Sequence, residues 1–245
     1  MILSRQIALA LALALTLATV AAQAETATTA PPAGWRGKGE AGLVFARGNS
    51  VADTVNFKLG MSEVVDQWKH SLEMSALRAS TGGVESANRY MAGWQSDYKV
   101  SARSFWFGGL RYEHDKYSGL DYQASASTGL GYKFYDTDRI KLSAQAGAGY
   151  RRLKNSVTGE ASGDVVFVAG MDYENKLTAT TKVVDKFHTE AGSSNTLLTN
   201  FLGLEVKMSD ALALSVGLDV RDNTKPPAGK KQVDTVSTVN VVYAF

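Results

Sequence analysis

The sequence predicts an all-β protein, an antiparallel up-and-down transmembrane β-barrel of about 12 strands. Three observations lead to this prediction. Apolar and polar residues alternate with period two in repeated runs of about ten to fourteen residues, which is the side-chain period of a strand. The connectors between runs alternate in length, and aromatic residues gather near the run ends. From Trp35 onward there is no sustained helical period.

The first element of the chain has the pattern of a secretory signal peptide. Arg5 is the only charge before an apolar run from Ile7 to Ala22, and Ala22-Gln23-Ala24 forms a small-x-small site. This order favours cleavage before Glu25 over an uncleaved membrane anchor. The predicted division of the chain is a signal peptide at 1–24, a flexible N-terminal lead-in at 25–34 and an outer-membrane β-barrel at 35–245.

Composition excludes several other classes of protein. The chain has no cysteine, so an exported protein of this length must be held together by its fold without disulfides. The net charge of +2 lacks the clustered basic excess of a nucleic-acid binder, and we expect no nucleic-acid partner. No stretch after the signal peptide is apolar over the roughly 18 to 20 residues that a spanning helix needs. We also expect no metal and no cofactor.

The alternating runs are long for a soluble sheet. In the run at 140–151, apolar Ile140, Leu142 and Ala144 alternate with Lys141, Ser143 and Gln145. Soluble strands average about five or six residues, whereas a tilted strand needs about nine to eleven to cross a bilayer. The predicted strands are 35–46, 51–62, 68–78, 88–99, 105–114, 122–135, 140–151, 165–174, 177–187, 196–208, 212–221 and 232–245.

The connectors predict which end of the barrel faces outward. Those after odd-numbered runs, such as RLKNSVTGEASGD, are mostly longer than those after even-numbered runs, such as DTDR. Bacterial outer-membrane barrels have long external loops and short periplasmic turns. With an even number of strands, both termini are then expected in the periplasm.

The final run, VDTVSTVNVVYAF, predicts a closing strand. A barrel has no free edge, so its last strand must pair with its first. Tyr243 and Phe245 also look like the C-terminal signal by which the barrel-assembly machinery recognises outer-membrane proteins. Together with aromatic residues near other run ends, they are typical of the aromatic girdles of a barrel in outer-membrane lipid.

Several stretches resemble one family. They are ARGNS (Ala46 to Ser50), RYEHDKYSGLDYQASASTGLGYKF (Arg111 to Phe134), AGAGYR (Ala146 to Arg151) and TKPPAGKKQVDT leading to VVYAF. In order and spacing they are similar to the domain of unknown function 481, whose members are described as salt-induced outer-membrane proteins. Ser50 is a departure, since Thr is more usual there. The resemblance implies an outer-membrane barrel with a tie to salt or osmotic stress, and it supplies no catalytic residues.

Charged residues on the polar faces lead to two alternative functions. Because lipid penalises charges, they are expected to face the lumen. Separated charges would line a narrow, weakly selective pore, with a slight preference for anions, whereas interlocked pairs would leave a sealed structural barrel. Small lumen residues such as Gly129, Gly147 and Gly217 favour the pore by leaving space, although they could equally ease strand curvature. The candidate lumen-lining residues are Asp97, Arg111, Glu113, Lys133, Lys141, Arg151, Glu205, Asp219 and Arg221.

An enzyme is the less favoured alternative. His114 and His188 lie where predicted strands meet outer loops, and Ser193, Ser194 and Asn195 follow His188, so an outer-membrane acyl hydrolase is conceivable. However, no catalytic or metal-binding motif accompanies these residues, and short polar residues are typical of loops. We therefore predict no enzymatic activity.

One loop suggests a surface partner. The segment from Thr224 to Gln232, TKPPAGKKQ, holds three lysines and two prolines. It could contact the phosphates of lipopolysaccharide, although a solvated loop has the same composition.

Overall fold

The computed structural model describes residues 34–46, 52–156, 158–226 and 231–245. The predicted signal peptide and all but the last residue of the predicted lead-in lie outside these residues. The described residues form twelve strands: β1 (Arg36–Ala46), β2 (Ala52–Val65), β3 (Trp68–Thr81), β4 (Val84–Lys99), β5 (Ser104–Asp115), β6 (Leu120–Asp136), β7 (Ile140–Asn155), β8 (Ala161–Lys176), β9 (Thr181–Gly192), β10 (Thr196–Lys207), β11 (Leu212–Asn223) and β12 (Val233–Ala244).

These strands close into one barrel. Each strand pairs antiparallel with its neighbours in sequence, and β12 pairs with β1. The predicted fold class, an all-β barrel of twelve strands, is confirmed. We call the end that holds Arg36 and Phe245 the terminal end, and the opposite end the loop end. No helix in the described part of the chain is long and apolar enough to cross a membrane.

The predicted strand boundaries are mostly within a few residues of the observed ones, and the differences lie chiefly at the loop end. There β3 and β4 continue until only Gly82 and Gly83 separate them, both with positive φ. Strand β9 begins at Thr181, four residues after the predicted start. The predicted long connectors after β3 and β9 were therefore wrong, because much of their sequence extends the hairpins instead.

The two faces of the sheet differ in polarity, as the two-residue period of the sequence predicts. Large apolar side chains such as Leu110, Leu130 and Val165 are 62%, 65% and 72% exposed on the outer surface. Charged residues such as Glu113 and Arg151 lie on the opposite face and are almost fully buried. A barrel reverses the arrangement of a soluble protein, because lipid surrounds it and polar groups fill its interior.

Aromatic rings cluster on the outer surface near both ends. At the terminal end, Trp68 contacts Tyr98 and Trp106 with ring centroids 5.0 and 6.3 Å apart. Towards the loop end, Tyr90 stacks on His114 at 4.7 Å. Such clusters are typical of the aromatic girdles at the two interfaces of a membrane barrel.

The inward-facing glycines do not leave the open space that the sequence suggested. The ring of Phe201 lies over Gly203 and Gly217, where an added Cβ would come within 2.8 and 2.4 Å of it. At Gly129 the neighbouring strand is so close that a Cβ would lie 2.2 Å from the carbonyl oxygen of Ala146. These glycines therefore make room for phenylalanine rings and for close strands, and the inference of lumen space from them was wrong.

This packing predicts different effects of one substitution at two glycines. Gly129→Ala forces the new methyl group against the backbone of β7, so we expect the barrel to lose about 1–3 kcal/mol of unfolding free energy. Gly39→Ala is the matched control, because its Cβ meets no atom within 4 Å. Urea unfolding in lipid vesicles measures both, and equal stability of the two variants would contradict the prediction.

Candidate functional site

The candidate site is the charged interior of the barrel. The strand registers place all the predicted lumen residues on the inward face: Asp97 on β4, Arg111 and Glu113 on β5, Lys133 on β6, Lys141 and Arg151 on β7, Glu205 on β10, and Asp219 and Arg221 on β11. They do not form one cluster. Most belong to ion-pair networks at different depths, while Lys133 and Lys141 lie near the terminal end.

The loop half of the lumen is crossed by an arginine-centred bridge. Glu113 is 3% exposed and accepts a hydrogen bond from Arg111 at 3.1 Å. Its other carboxylate oxygen contacts Arg221. Glu113 lies on β5 and Arg221 on β11, six strands away around the closed barrel, so the contact spans the lumen. Arg89 and Asp115 add a pair at 2.9 Å beside it.

A second arginine closes the wall beside this bridge. Arg151 is fully buried and its Nη atoms lie 3.6 Å from Asp164 and 3.8 Å from Glu190. It also donates to the backbone oxygens of Asn195 and Glu190 at 2.8 and 3.2 Å, which holds the β9–β10 loop. Glu190 in turn accepts from Ser125 at 2.7 Å, three strands away. This network ties four neighbouring strands, β6 to β9, together along one wall of the interior.

The middle of the lumen is also bridged. Lys186 on β9 and Glu73 on β3 meet at 2.5 Å, and these strands are six positions apart around the barrel. Lys58 pairs with Asp219 at 3.0 Å and lies 3.9 Å above the ring of Phe201. Side chains from opposite walls therefore contact one another at two depths.

The terminal half holds a chain of lysines and glutamates. Lys38 lies 3.1 Å from Glu40 and also contacts Glu205. Lys182 continues the chain, at 3.2 Å from Glu205 and 3.0 Å from Glu174. The carboxylates of Glu40 and Glu205 are buried against the wall, while the lysines are partly exposed to the lumen.

The type of cation changes along the barrel axis. The inward-facing, ion-paired cations of the loop half are arginines, and those of the middle and terminal half are lysines. Arginine holds carboxylates in fixed fork geometry and stays charged when buried, whereas lysine is flexible and strongly hydrated. In parallel, exposure rises from 0% for the side chain of Arg151 to 46% for that of Lys186. The loop half is thus tightly filled, and the rest is wetter.

Sequence reasoning missed two central residues and could not resolve two pairings. Lys186 and Glu190 were not among the lumen candidates, because the ninth run was placed about four residues early and its faces looked ragged. Every second residue from 182 to 190 is polar except Val184, and this series is the signal that would have identified them: Lys182, Val184, Lys186, His188, Glu190. The sequence left open whether Arg111 and Lys133 pair with Glu113 and Asp97 or stand free. Arg111 contacts Glu113, whereas Lys133 pairs with Asp136 at 3.1 Å. Asp97 accepts from Gln95 at 2.8 Å.

The two candidate catalytic histidines lie on different faces. His114 is on the outer face, stacked on Tyr90, and its ring contacts the backbone oxygen of Asp121. His188 faces inward, with its Nε2 3.4 Å from Glu190. Ser194 instead donates to Asp164 at 2.7 Å. The geometry therefore does not bring the histidines together in one site.

Each end of the barrel has a small cavity of about 250 Å³. The loop-end cavity is lined by Tyr117, Arg221 and Gln232 among others, and the terminal-end cavity by Lys38, Lys182 and Glu205. At the loop-end rim, a hydrogen bond of 2.8 Å to Glu85 raises the pKa of Lys116 above its ordinary value. The rim residue Lys116 is mostly exposed, unlike the buried Arg151 of the loop half.

Comparisons with known proteins agree with this architecture. A family model described as "Protein of unknown function, DUF481" matches residues 39–245. The uncharacterized protein YdiY of Escherichia coli K12 is 22% identical over 212 residues, which cover 86% of this chain and 83% of YdiY.

Solved structures with the same fold include a porin and an outer membrane channel. The NanC porin has a TM-score of 0.52 at 10% identity, covering 85% of this chain and 98% of the porin. The COG4313 outer membrane channel from Pseudomonas putida F1 also has a TM-score of 0.52, at 9% identity, covering 89% and 97% of the two chains. At such identities the likeness establishes the fold alone.

The burial of Arg151 predicts a large loss of stability on its removal. Arg151→Ala leaves the buried carboxylates of Glu190 and Asp164 without their cation, so we expect the unfolding free energy to fall by about 3–5 kcal/mol. Arg78→Ala, which breaks a pair with Glu85 at the exposed rim, should change it by about 1 kcal/mol or less. Urea unfolding in vesicles gives both values, and similar losses in the two variants would argue against the buried network.

Proposed function

The chain belongs to the DUF481 family, and from this premise, together with the barrel fold and the charged lumen, we propose that it is an outer-membrane protein that acts as a narrow, weakly selective pore. Its substrates are small ions and solutes. Membership of the family rests on the sequence match, while the proposal of a pore rests on the interior of this chain.

The proposal of a pore rests on the contacts between side chains from opposite walls of the barrel. In the middle of the lumen the bridge consists of two flexible side chains, Lys186 and Glu73, which are 46% and 49% exposed. A pair that is half exposed is held less tightly than a fully buried one, so thermal motion separates it more readily than it separates Glu113 from Arg221. A constriction of this kind passes small ions when it opens, yet excludes larger molecules.

The lumen charges favour weak selectivity. Cations and carboxylates alternate along the networks, as in the chain from Glu40 through Lys38 and Glu205 to Lys182, so neither sign dominates in that chain. The slight excess of Lys and Arg on the inward face favours anions. Because salt screens such fields over about 10 Å at 0.1 M, the preference should fade as ionic strength rises.

A sealed structural barrel is the second candidate, and a specific observation favours it. Arg151, Glu113 and Glu190 are 0%, 3% and 2% exposed, so the loop half is packed like a protein core. Charges buried to this degree resist separation more than solvated ones. The two candidates differ in one measurable property, the conductance of the loop half.

The location and partners follow the same proposal. A signal peptide cleaved after Ala24 would export the chain, and the termini would then lie in the periplasm. Assembly machinery would recognise the last strand, where Tyr243 and Phe245 stack with centroids 6.4 Å apart. Lysines of the β11–β12 loop would meet lipopolysaccharide, although Lys225 donates to Ser193 at 3.3 Å. A role in salt or osmotic adaptation remains part of this proposal.

We include no enzymatic activity in the proposed function. The placement of His114 on the outer face and His188 on the inner face supports this, since an acyl hydrolase needs its base beside a nucleophile. The structural neighbours include a porin and a channel, which supports the same proposal.

Planar-bilayer recording distinguishes the pore from the sealed barrel. We expect discrete steps of small conductance from the unmodified protein, and larger steps from the double variant Glu113→Ala with Arg221→Ala, which removes the bridge across the loop half. The control is Arg78→Ala with Glu85→Ala, an exposed rim pair 3.1 Å apart, which should leave the steps unchanged. Silence of all three proteins across salt and voltage would reject the pore and leave the sealed barrel.

Cell fractionation tests the location. The protein should remain with the outer membrane after sonication, require detergent for extraction, and shift in mobility on gels when heated. Its mass should correspond to a chain that begins at Glu25. Recovery of soluble protein from the periplasm would be incompatible with the proposed location.

A further inference from the structure

The terminal-end cavity has a charged side and an apolar side. It measures about 250 Å³ and lies inside the end of the barrel, beside the short turns at 178–180 and 209–211. Its charged side comes from the ends of β8, β9, β10 and β1, and its apolar side from the ends of β11 and β12. Pockets for drug-sized ligands measure about 300–1,000 Å³, so this cavity suits a smaller molecule.

Three of the four lysines that line the cavity have carboxylate partners. Lys38 and Lys182 share the buried carboxylate of Glu205, and each of them also contacts a second glutamate. Lys207 contacts Asp210 at 2.7 Å. The charges of these three lysines are therefore balanced within the protein, and the fourth lysine decides the charge that the cavity presents to a ligand.

The fourth lysine, Lys176, has no carboxylate partner. Its exposed side chain makes no hydrogen bond or ion pair with any residue that the structure describes. It lies at the end of β8, directly opposite Lys182 of β9, and both side chains face inward. Like charges directly opposite each other destabilise a sheet. An anion beside Lys176 would reduce this repulsion and accept hydrogen bonds from its ammonium group, which has three donors.

The apolar side of the cavity begins directly beside the lysines. Ala213 of β11 pairs in register with Lys207 of β10 on one side and with Val242 of β12 on the other. Val242 is only 3% exposed, and Leu212 and Ala244 complete this side. A small molecule in the cavity would therefore meet an ammonium group and a hydrocarbon surface together.

We propose that the terminal-end cavity is a binding site for a short-chain monocarboxylate. The carboxylate of the ligand accepts hydrogen bonds from Lys176, and its hydrocarbon chain packs on Ala213 and Val242. A second carboxylate on the ligand would meet the apolar side or the carboxylate of Glu205, so dicarboxylates bind less tightly. The site needs the closed barrel and not a conducting lumen, and it therefore goes beyond the proposed pore.

Ligand-observed NMR titrations of the full-length barrel in detergent micelles, with empty micelles as the blank, test the class of ligand. Pentanoate should bind about tenfold more tightly than pentanamide, its uncharged counterpart of similar size, which is the effect of one charge-assisted hydrogen bond. It should also bind about tenfold more tightly than acetate, because acetate lacks three methylene groups that the cavity partly buries.

Two lysine variants test the position of the site. Lys176→Gln breaks no ion pair and should abolish the preference for pentanoate over pentanamide. Lys141→Gln is the matched control and should keep the preference, because Lys141 is also exposed, inward-facing and near the terminal end but does not line the cavity. On the apolar side, Val242→Thr adds a hydroxyl group, and it should weaken pentanoate binding while leaving acetate binding unchanged.

The other outcomes overturn the proposal. Equal affinity of the unmodified protein for pentanoate and pentanamide does so whatever the variants show, and so does tighter binding of pentanedioate than of pentanoate. An equal loss in Lys176→Gln and Lys141→Gln would assign the effect to the general field of the lysines at this end and not to the cavity. The titrations need no current, so a barrel that is silent in a planar bilayer would reject the pore without affecting this result.

Discussion

Backbone hydrogen bonding is the constraint on which the rest of this structure depends. In hydrocarbon no water satisfies a free N–H or C=O group, so a sheet that crosses a membrane must close on itself. Closure requires the last strand to reach the first, as Phe245 does with its two bonds to Gly37. It also creates an interior, and the strand period then sends every second side chain into it. The lumen and its charges are consequences of closure.

Burial of charge in that interior explains the contacts across the barrel. Desolvated carboxylates such as Glu113 and Glu190 are tolerated only with cations and hydrogen-bond donors beside them. The partners come from distant strands because inward side chains converge on the axis, which is how Arg221 of β11 reaches Glu113 of β5. The same contacts brace the wall and narrow the lumen, so stability and permeability depend on shared residues.

The change from arginine to lysine along the barrel axis makes the contacts of the loop half more rigid than those of the terminal half. Arg151 makes several fixed contacts in a dry environment, whereas Lys186 holds its partner near water. Ion pairs in water exchange easily, and those removed from water do not. The width of any path through the lumen therefore depends on the loop half, while the lysine-lined remainder of the lumen is accessible to water.

The sequence by itself determined the fold class, the number of strands and the face on which each lumen candidate lies, because period two is a local property that survives any tertiary arrangement. Runs of more than ten residues, such as 140–151, left little choice of architecture. Only the tertiary structure decided which charges meet. Lys186 and Glu73 are remote in sequence and face each other because closure places β9 opposite β3. The tertiary structure also decided that Phe201 covers Gly203 and Gly217. Such packing depends on the stagger between strands, which the alternation of apolar and polar residues does not reveal.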